Sequence, residues 1–224
     1  MNNRYRISLF FHYAYYLRLR IISLVSTFYC RAVFRLKGVS MQKGSTFVGI
    51  PIVYLAPGST ISIGKNIGIR TSPISNLIGL NRRSIIATHH AKAEIIIGDN
   101  CGFSGVVIGA RQSIKIGNKV LVGANVLITD FDWHPVNPVT RHTGEPKSKP
   151  VTIGNNVFLG YSAIVLKGVS IGDNSVIGAN SVVTSNIPAN VIAAGNPCKV
   201  ISSLRPAEEK PLQTEGIDDV VQKQ

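Results

Sequence analysis

Residues 153–183 read IGNNVFLGYSAIVLKGVSIGDNSVIGANSVV, and they count in sixes. Ile153, Leu159, Val165, Ile171, Ile177 and Val183 stand six apart, and four of them are followed by glycine. A small or β-branched residue follows each at the fourth place: Val157, Ala163, Val169, Ser175, Ser181 and Ile187. Six is a multiple of the strand period of two and not of the helical 3.6, so the pattern specifies short strands. Asparagine and glycine in the units supply corners where the backbone turns through positive φ. The same unit occurs upstream at Ile97, Ile116 and Val122, and more weakly around Ile63. One such unit cannot bury its own apolar side, whereas stacked coils bury a continuous column of Ile, Val and Leu.

The repeat resembles the hexapeptide repeat of the left-handed parallel β-helix proteins. The resemblance implies an all-β solenoid in which three hexads make one triangular coil, an exception to the usual right-handed crossover. It implies a helix domain over roughly 46–200, preceded by a basic, apolar helical segment (1–45) and followed by a polar tail (201–224). Most relatives are acyltransferases acting as homotrimers, but a fold alone does not give a function.

The rhythm breaks once in its second half. Between Ile128 and Ile153 lie ITDFDWHPVNPVTRHTGEPKSKPVTI, with three prolines from 135 to 146 and a glycine. A solenoid tolerates such an excursion, and excursions of this kind carry function. The loop 129–152 offers a histidine, His134, as a general base, because imidazole titrates near neutral pH. In extended backbone Asp130, Asp132 and His134 would share one face, so that either carboxylate could orient the imidazole. The order His134, Pro135, Arg141, Gly144, Glu145, Pro150 and Ile153–Asn156 is similar to the loop of the maltose, galactoside and nodulation-factor O-acetyltransferases. By that resemblance His134 is the base, and Arg141 and Glu145 face the acceptor; outside the motif, His89, after the strand-like stretch SIIAT, is a further candidate for acceptor binding, with solvated loop histidines as the alternative.

The ending SVVTSNIPANVIAAGNPCKVI resembles that family's closing coils. It implies an acetyl-CoA groove between subunits lined by Phe158, Tyr161, Ala179, Thr184, Ser185 and Lys199, where Lys199 offers a cation to the nucleotide phosphates. Phe158 stands where several relatives carry tryptophan, and Tyr161 replaces a smaller residue. A catalytic zinc needs three converging ligands, and His89, His134 and His142 lack a matching spacing, so no metal is expected. The expected function is an acetyl-CoA-dependent O-acetyltransferase acting on a sugar hydroxyl of a surface polysaccharide such as capsule, exopolysaccharide or O-antigen, or its precursor; the alternatives are an N-acetyltransferase on an amino sugar, a xenobiotic acetyltransferase and a non-catalytic trimeric scaffold.

Charge is distributed unevenly. Residues 1–93 hold 13 lysines and arginines and no acid, whereas residues 94–224 hold 11 basic and 11 acidic residues, so the net +13 sits at the front. Aromatic and aliphatic residues outnumber charges there and no nucleic-acid motif is present, so no nucleic-acid partner is expected. Arginines cut the apolar runs well short of the ~20 residues that span a bilayer, and no signal peptide is read. One or two helices are expected over 1–40, capping the solenoid and meeting an anionic membrane surface. Three cysteines without a framework suggest reduced thiols, hence a cytoplasmic protein peripheral to the inner face of the membrane.

Overall fold

A computed structural model describes residues 3–204. One helix, α1 (Asn3–Leu36), leads into six coils of parallel strand whose first strand is Ser40–Met41. The strands form three sheets, and each coil contributes one strand to each, giving a triangular solenoid. The third coil shows the plan: Glu94–Ile97 on the first face, Gly102–Ser104 on the second and Val107–Ala110 on the third.

Register explains the period of six. On the first face Ile63, Ile97, Ile116, Ile153 and Ile171 lie one above another. Phe47, Ile69, Phe103, Val122, Leu159, Ile177 and Ala193 stack on the second face. Val53, Ile86, Ile108, Ile128, Val165 and Val183 stack on the third. All are buried, so the column of aliphatic side chains read from the sequence is the core. Corners are turned by residues at positive φ, among them Asn125, Asn156, Asn174 and Asn180. The Asn156 amide donates to Asn174 at 3.0 Å and Asn174 to Asn190 at 2.9 Å, a ladder that uses both the donor and the acceptor end of the amide. Gly160 shows why glycine recurs: a Cβ there would lie 2.6 Å from the backbone nitrogen of Ala179 in the next coil.

The front end is one helix of 34 residues, within the one or two expected. Two features depart from the reading above. A second excursion, between Gly68–Arg70 and Ile85–Thr88, carries a short 3-10 helix at Pro73–Ser75. Residues 201–203, expected in the tail, belong to Lys199–Ser203, which runs antiparallel to Val191–Ala194 and closes the second sheet. The rest of the tail, 205–224, lies outside the described residues. At the opposite end α1 covers the first coil: Phe34 meets Phe47 edge-on at 5.4 Å, Cys30 is fully buried, and Thr27 Oγ1 accepts from the Phe47 N–H at 2.9 Å.

Candidate active site

The long loop leaves the solenoid at the end of Leu127–Thr129, at the edge between the third and first faces, and returns at Val151–Ile153. Its root is a short antiparallel ribbon. The Asp132 N–H donates to the Lys147 carbonyl at 3.1 Å, the Lys149 N–H to the Asp130 carbonyl at 2.8 Å, and Phe131 bridges Ser148. Beyond the root the loop is tied internally, with the Gly144 N–H on Thr140 O at 2.7 Å and Arg141 Nη2 on Val136 O at 3.0 Å.

Asp130 is fully buried and both its oxygens are occupied. Oδ1 accepts from the Arg111 N–H, and Oδ2 accepts from the N–H groups of Gln112 and Ser113, each at 2.7 Å. Burial pushes its carboxyl up, opposed by these three backbone donors. Asp130 therefore fastens the loop root to the preceding corner. Asp132 is half-buried and ion-pairs with Lys167 of the next coil. His134 is exposed, and its backbone N–H donates to the Asp132 carbonyl at 2.7 Å.

This corrects the expectation that the three residues share one face. Trp133 has φ of 63°, in the left-handed region, so the alternation of an extended chain fails between Asp132 and His134. The cause is an aromatic cluster. Trp133 packs on Phe131 at 4.6 Å and edge-on to His89 at 4.9 Å, and His89 also meets Phe131 at 5.2 Å. Among the described residues neither aspartate is hydrogen-bonded to the imidazole of His134; the carboxylates hold the loop, and the loop presents the histidine.

His89, expected at the acceptor, thus lies against the loop root beside His134's neighbour. Its Nε2 is buried with no hydrogen-bond partner among the described residues. Burial holds its pKa below the ordinary imidazole value, with the Asp130 charge opposing and Arg111 assisting. The sign follows from proton linkage. Below the unfolded pKa of about 6.5 the unfolded chain binds a proton that folded His89 resists, so stability falls as pH drops through that window. Thermal melting between pH 7.5 and 5.5 is expected to show a downward slope that His89→Phe flattens; an unchanged slope in the variant would remove His89 as its source.

Other expected residues fall into two groups. Glu145 ion-pairs with Arg111, so in the single chain it ties the loop to the third coil. Phe158 lies on the second face between Leu121 and Val176 and is 41% exposed. Tyr161 and Ala179 sit at the corner between the second and third faces, where the Asn180 N–H donates to Tyr161 O at 2.8 Å. Thr184 and Ser185 are exposed just past Val183, at the same edge as the loop root and one coil beyond Lys167. Lys199 is exposed opposite Ala194 on the closing hairpin. The third face between the two edges presents Leu127, Ile164 and Val182 at half-exposed outward positions. Lys167, Arg111 and Trp133 were missed by sequence reasoning; the parallel register that sets Val165 against Ile128 is the signal that places Lys167 beside the root.

The arrangement is an exposed imidazole on a tethered loop, beside a shallow strip bounded by small and hydroxyl side chains. Comparison with known proteins is consistent with it. The model for the hexapeptide repeat of succinyl-transferase matches residues 94–130 and 150–185, leaving out most of the loop. The galactoside O-acetyltransferase of Escherichia coli is 38% identical over 154 residues, 69% of this chain and 59% of that protein. The galactoside O-acetyltransferase of Lactococcus lactis is 50% identical over 97 residues, 43% of this chain and 46% of that protein. The chain thus spans about half the length of these curated relatives. In fold it is similar to AntD, an N-acyltransferase from Bacillus cereus solved with dTDP and 3-hydroxybutyryl-CoA, at a TM-score of 0.61 and 18% identity over 78% of this chain and 88% of that one.

Proposed function

We propose that this chain, which belongs to the hexapeptide-repeat proteins of left-handed β-helix fold, transfers an acetyl group from acetyl-CoA to a hydroxyl of a sugar. The observation that carries this reading is the loop root: a buried Asp130 and an Asp132–Lys167 pair hold a ribbon from which His134 projects into solvent. A purely structural loop has no need of an exposed histidine so fixed, whereas a base must stand free and be held still.

In the proposed step His134 accepts the hydroxyl proton as the sugar oxygen attacks the thioester carbonyl, and CoA leaves as the thiol after proton return. Direct transfer requires donor and acceptor to be bound together, because proximity supplies much of the rate. The outward residues Phe158, Tyr161, Ala179, Thr184, Ser185 and Lys199 would accommodate the acetyl-CoA, Lys199 through its charge on the phosphates. Two relatives named galactoside O-acetyltransferases support a sugar acceptor, and a polysaccharide or its lipid-linked precursor fits an enzyme with a basic, apolar front end.

The acting species in this reading is a homotrimer, with each site completed by a neighbouring copy. The single chain leaves Val136 at 73% and Val139 at 86% exposure on the loop and Leu121 at 56% on the second face, apolar area that a neighbour would cover. The reading is tested by CoA release from acetyl-CoA over a panel of sugars. Release above the hydrolytic background is expected with hydroxyl acceptors; its absence with every sugar, in a folded protein, would leave the scaffold reading.

A further inference from the structure

We infer that the outer face of α1 is a docking surface for an anionic phospholipid bilayer, a conclusion independent of the reaction proposed above. The helix has two unlike sides. Ser26, Cys30 and Phe34 pack inward on the first coil, and Tyr15 Oη donates to Ile74 O at 2.7 Å, holding the helix to the second excursion. At 3.6 residues per turn the opposite side carries Ile7, Ala14, Ile21 and Phe28, each seven apart, and between them Phe10, Leu17 and Leu24. Of these, Ile7, Phe10, Leu17, Ile21, Leu24 and Phe28 are 54–81% exposed. An apolar stripe of this length on a monomeric surface marks something that covers it.

The charges flanking the stripe decide what the cover is. Seven-residue spacing also suits a coiled coil with a second copy. Arg6 and Arg20 border one edge and Arg18 the other, and the helix contains no acidic residue; none precedes Glu94 in the chain. Two copies packed along the stripe would oppose arginine to arginine with no carboxylate between them, a destabilising juxtaposition. An anionic lipid surface meets the same pattern with attraction on both edges. Tyr13, 65% exposed, lies beside the stripe next to Arg20's edge, and an amphipathic ring of this kind settles at the headgroup level. The helix would lie in the surface, since among the described residues no helix is long and apolar enough to cross a membrane. Because α1 covers the first coil, docking leaves the loop root and the last coils free.

The test is co-sedimentation of the full chain with vesicles of phosphatidylcholine alone and of phosphatidylcholine with three-tenths phosphatidylglycerol. Binding to the anionic vesicles is expected to exceed that to neutral ones by about tenfold or more, and to weaken in 0.5 M salt, at roughly 1 kcal/mol or fivefold per arginine. The pair Arg18→Gln and Arg20→Gln should lower anionic binding by about 25-fold at that rate. Leu17→Glu, at the centre of the stripe, should abolish it, while thermal melting stays as in the parent because the position is exposed. Equal binding to both vesicles, or none, overturns the inference. So does a fall in assembled mass on Leu17→Glu in sedimentation velocity without lipid, which would make the stripe a contact between copies.

Discussion

Replacing His134 by alanine is expected to lower kcat for acetyl transfer by about 10²–10⁴-fold, the usual worth of a general base. The KM for acetyl-CoA should change little, since the imidazole acts on the acceptor's proton rather than on the donor. The fold should be unaffected. His134 is exposed and contributes to the loop root only through its backbone N–H, which alanine keeps. Melting within a degree or two of the parent together with lost turnover would locate the effect in chemistry. Full turnover in His134→Ala would mean that the loop presents some other base, or none.

Asp130→Ala is expected to be the most damaging change in the loop, by a different route. Three backbone N–H groups, of Arg111, Gln112 and Ser113, would lose their acceptor in a place where the replaced side chain was fully buried. At about 1 kcal/mol or more for each orphaned donor, the loss is about 3 kcal/mol or more. The root would loosen with it, because the Asp130 carbonyl also takes the Lys149 N–H. Asp130→Asn should be milder. Oδ1 serves one donor and Oδ2 two, so an amide oriented with its nitrogen toward Arg111 keeps two of the three bonds. The order Asp, Asn, Ala in melting temperature, with activity following it, is the expected result; an Asp130→Ala protein as stable as the parent would show that the buried carboxylate is not what fastens the loop.

How far the sequence reached depended on whether a feature was local. Ile153 to Val183 keep their spacing because each residue repeats the environment of the one six before it, so the coils were legible without any partner in view. The last coil was harder. Ile187 bridges Ile171, sixteen residues back rather than eighteen, because the chain cuts the corner before Val191 rejoins the second sheet. The excursion over residues 71–84 had no signal of period, and its ties come from afar: Asn125 donates to Gly79 O at 2.9 Å and accepts from the Asn81 N–H at 3.1 Å.

The site divides in the same way. The loop could be located because the break in the count of six marked it, whereas singling out His134 within it rested on the resemblance of the loop. The alternation of Asp130, Asp132 and His134 misled because it assumed extended backbone, and the left-handed Trp133 is held by His89, a residue 44 positions earlier in another coil. No short window contains both. Asp132 was legible as a carboxylate near His134, but its partner Lys167 lies on the next coil, visible only once the register is fixed.

The most direct measurement is the chemistry of the product formed from acetyl-CoA and an acceptor bearing both hydroxyl and amino groups, such as glucosamine. The account predicts stoichiometric CoA release and an acetylated sugar whose acetyl group is removed by mild base, as an ester. A base-stable amide would contradict the O-transfer assignment, and no acetylated product from this or any hydroxyl sugar would contradict the account as a whole.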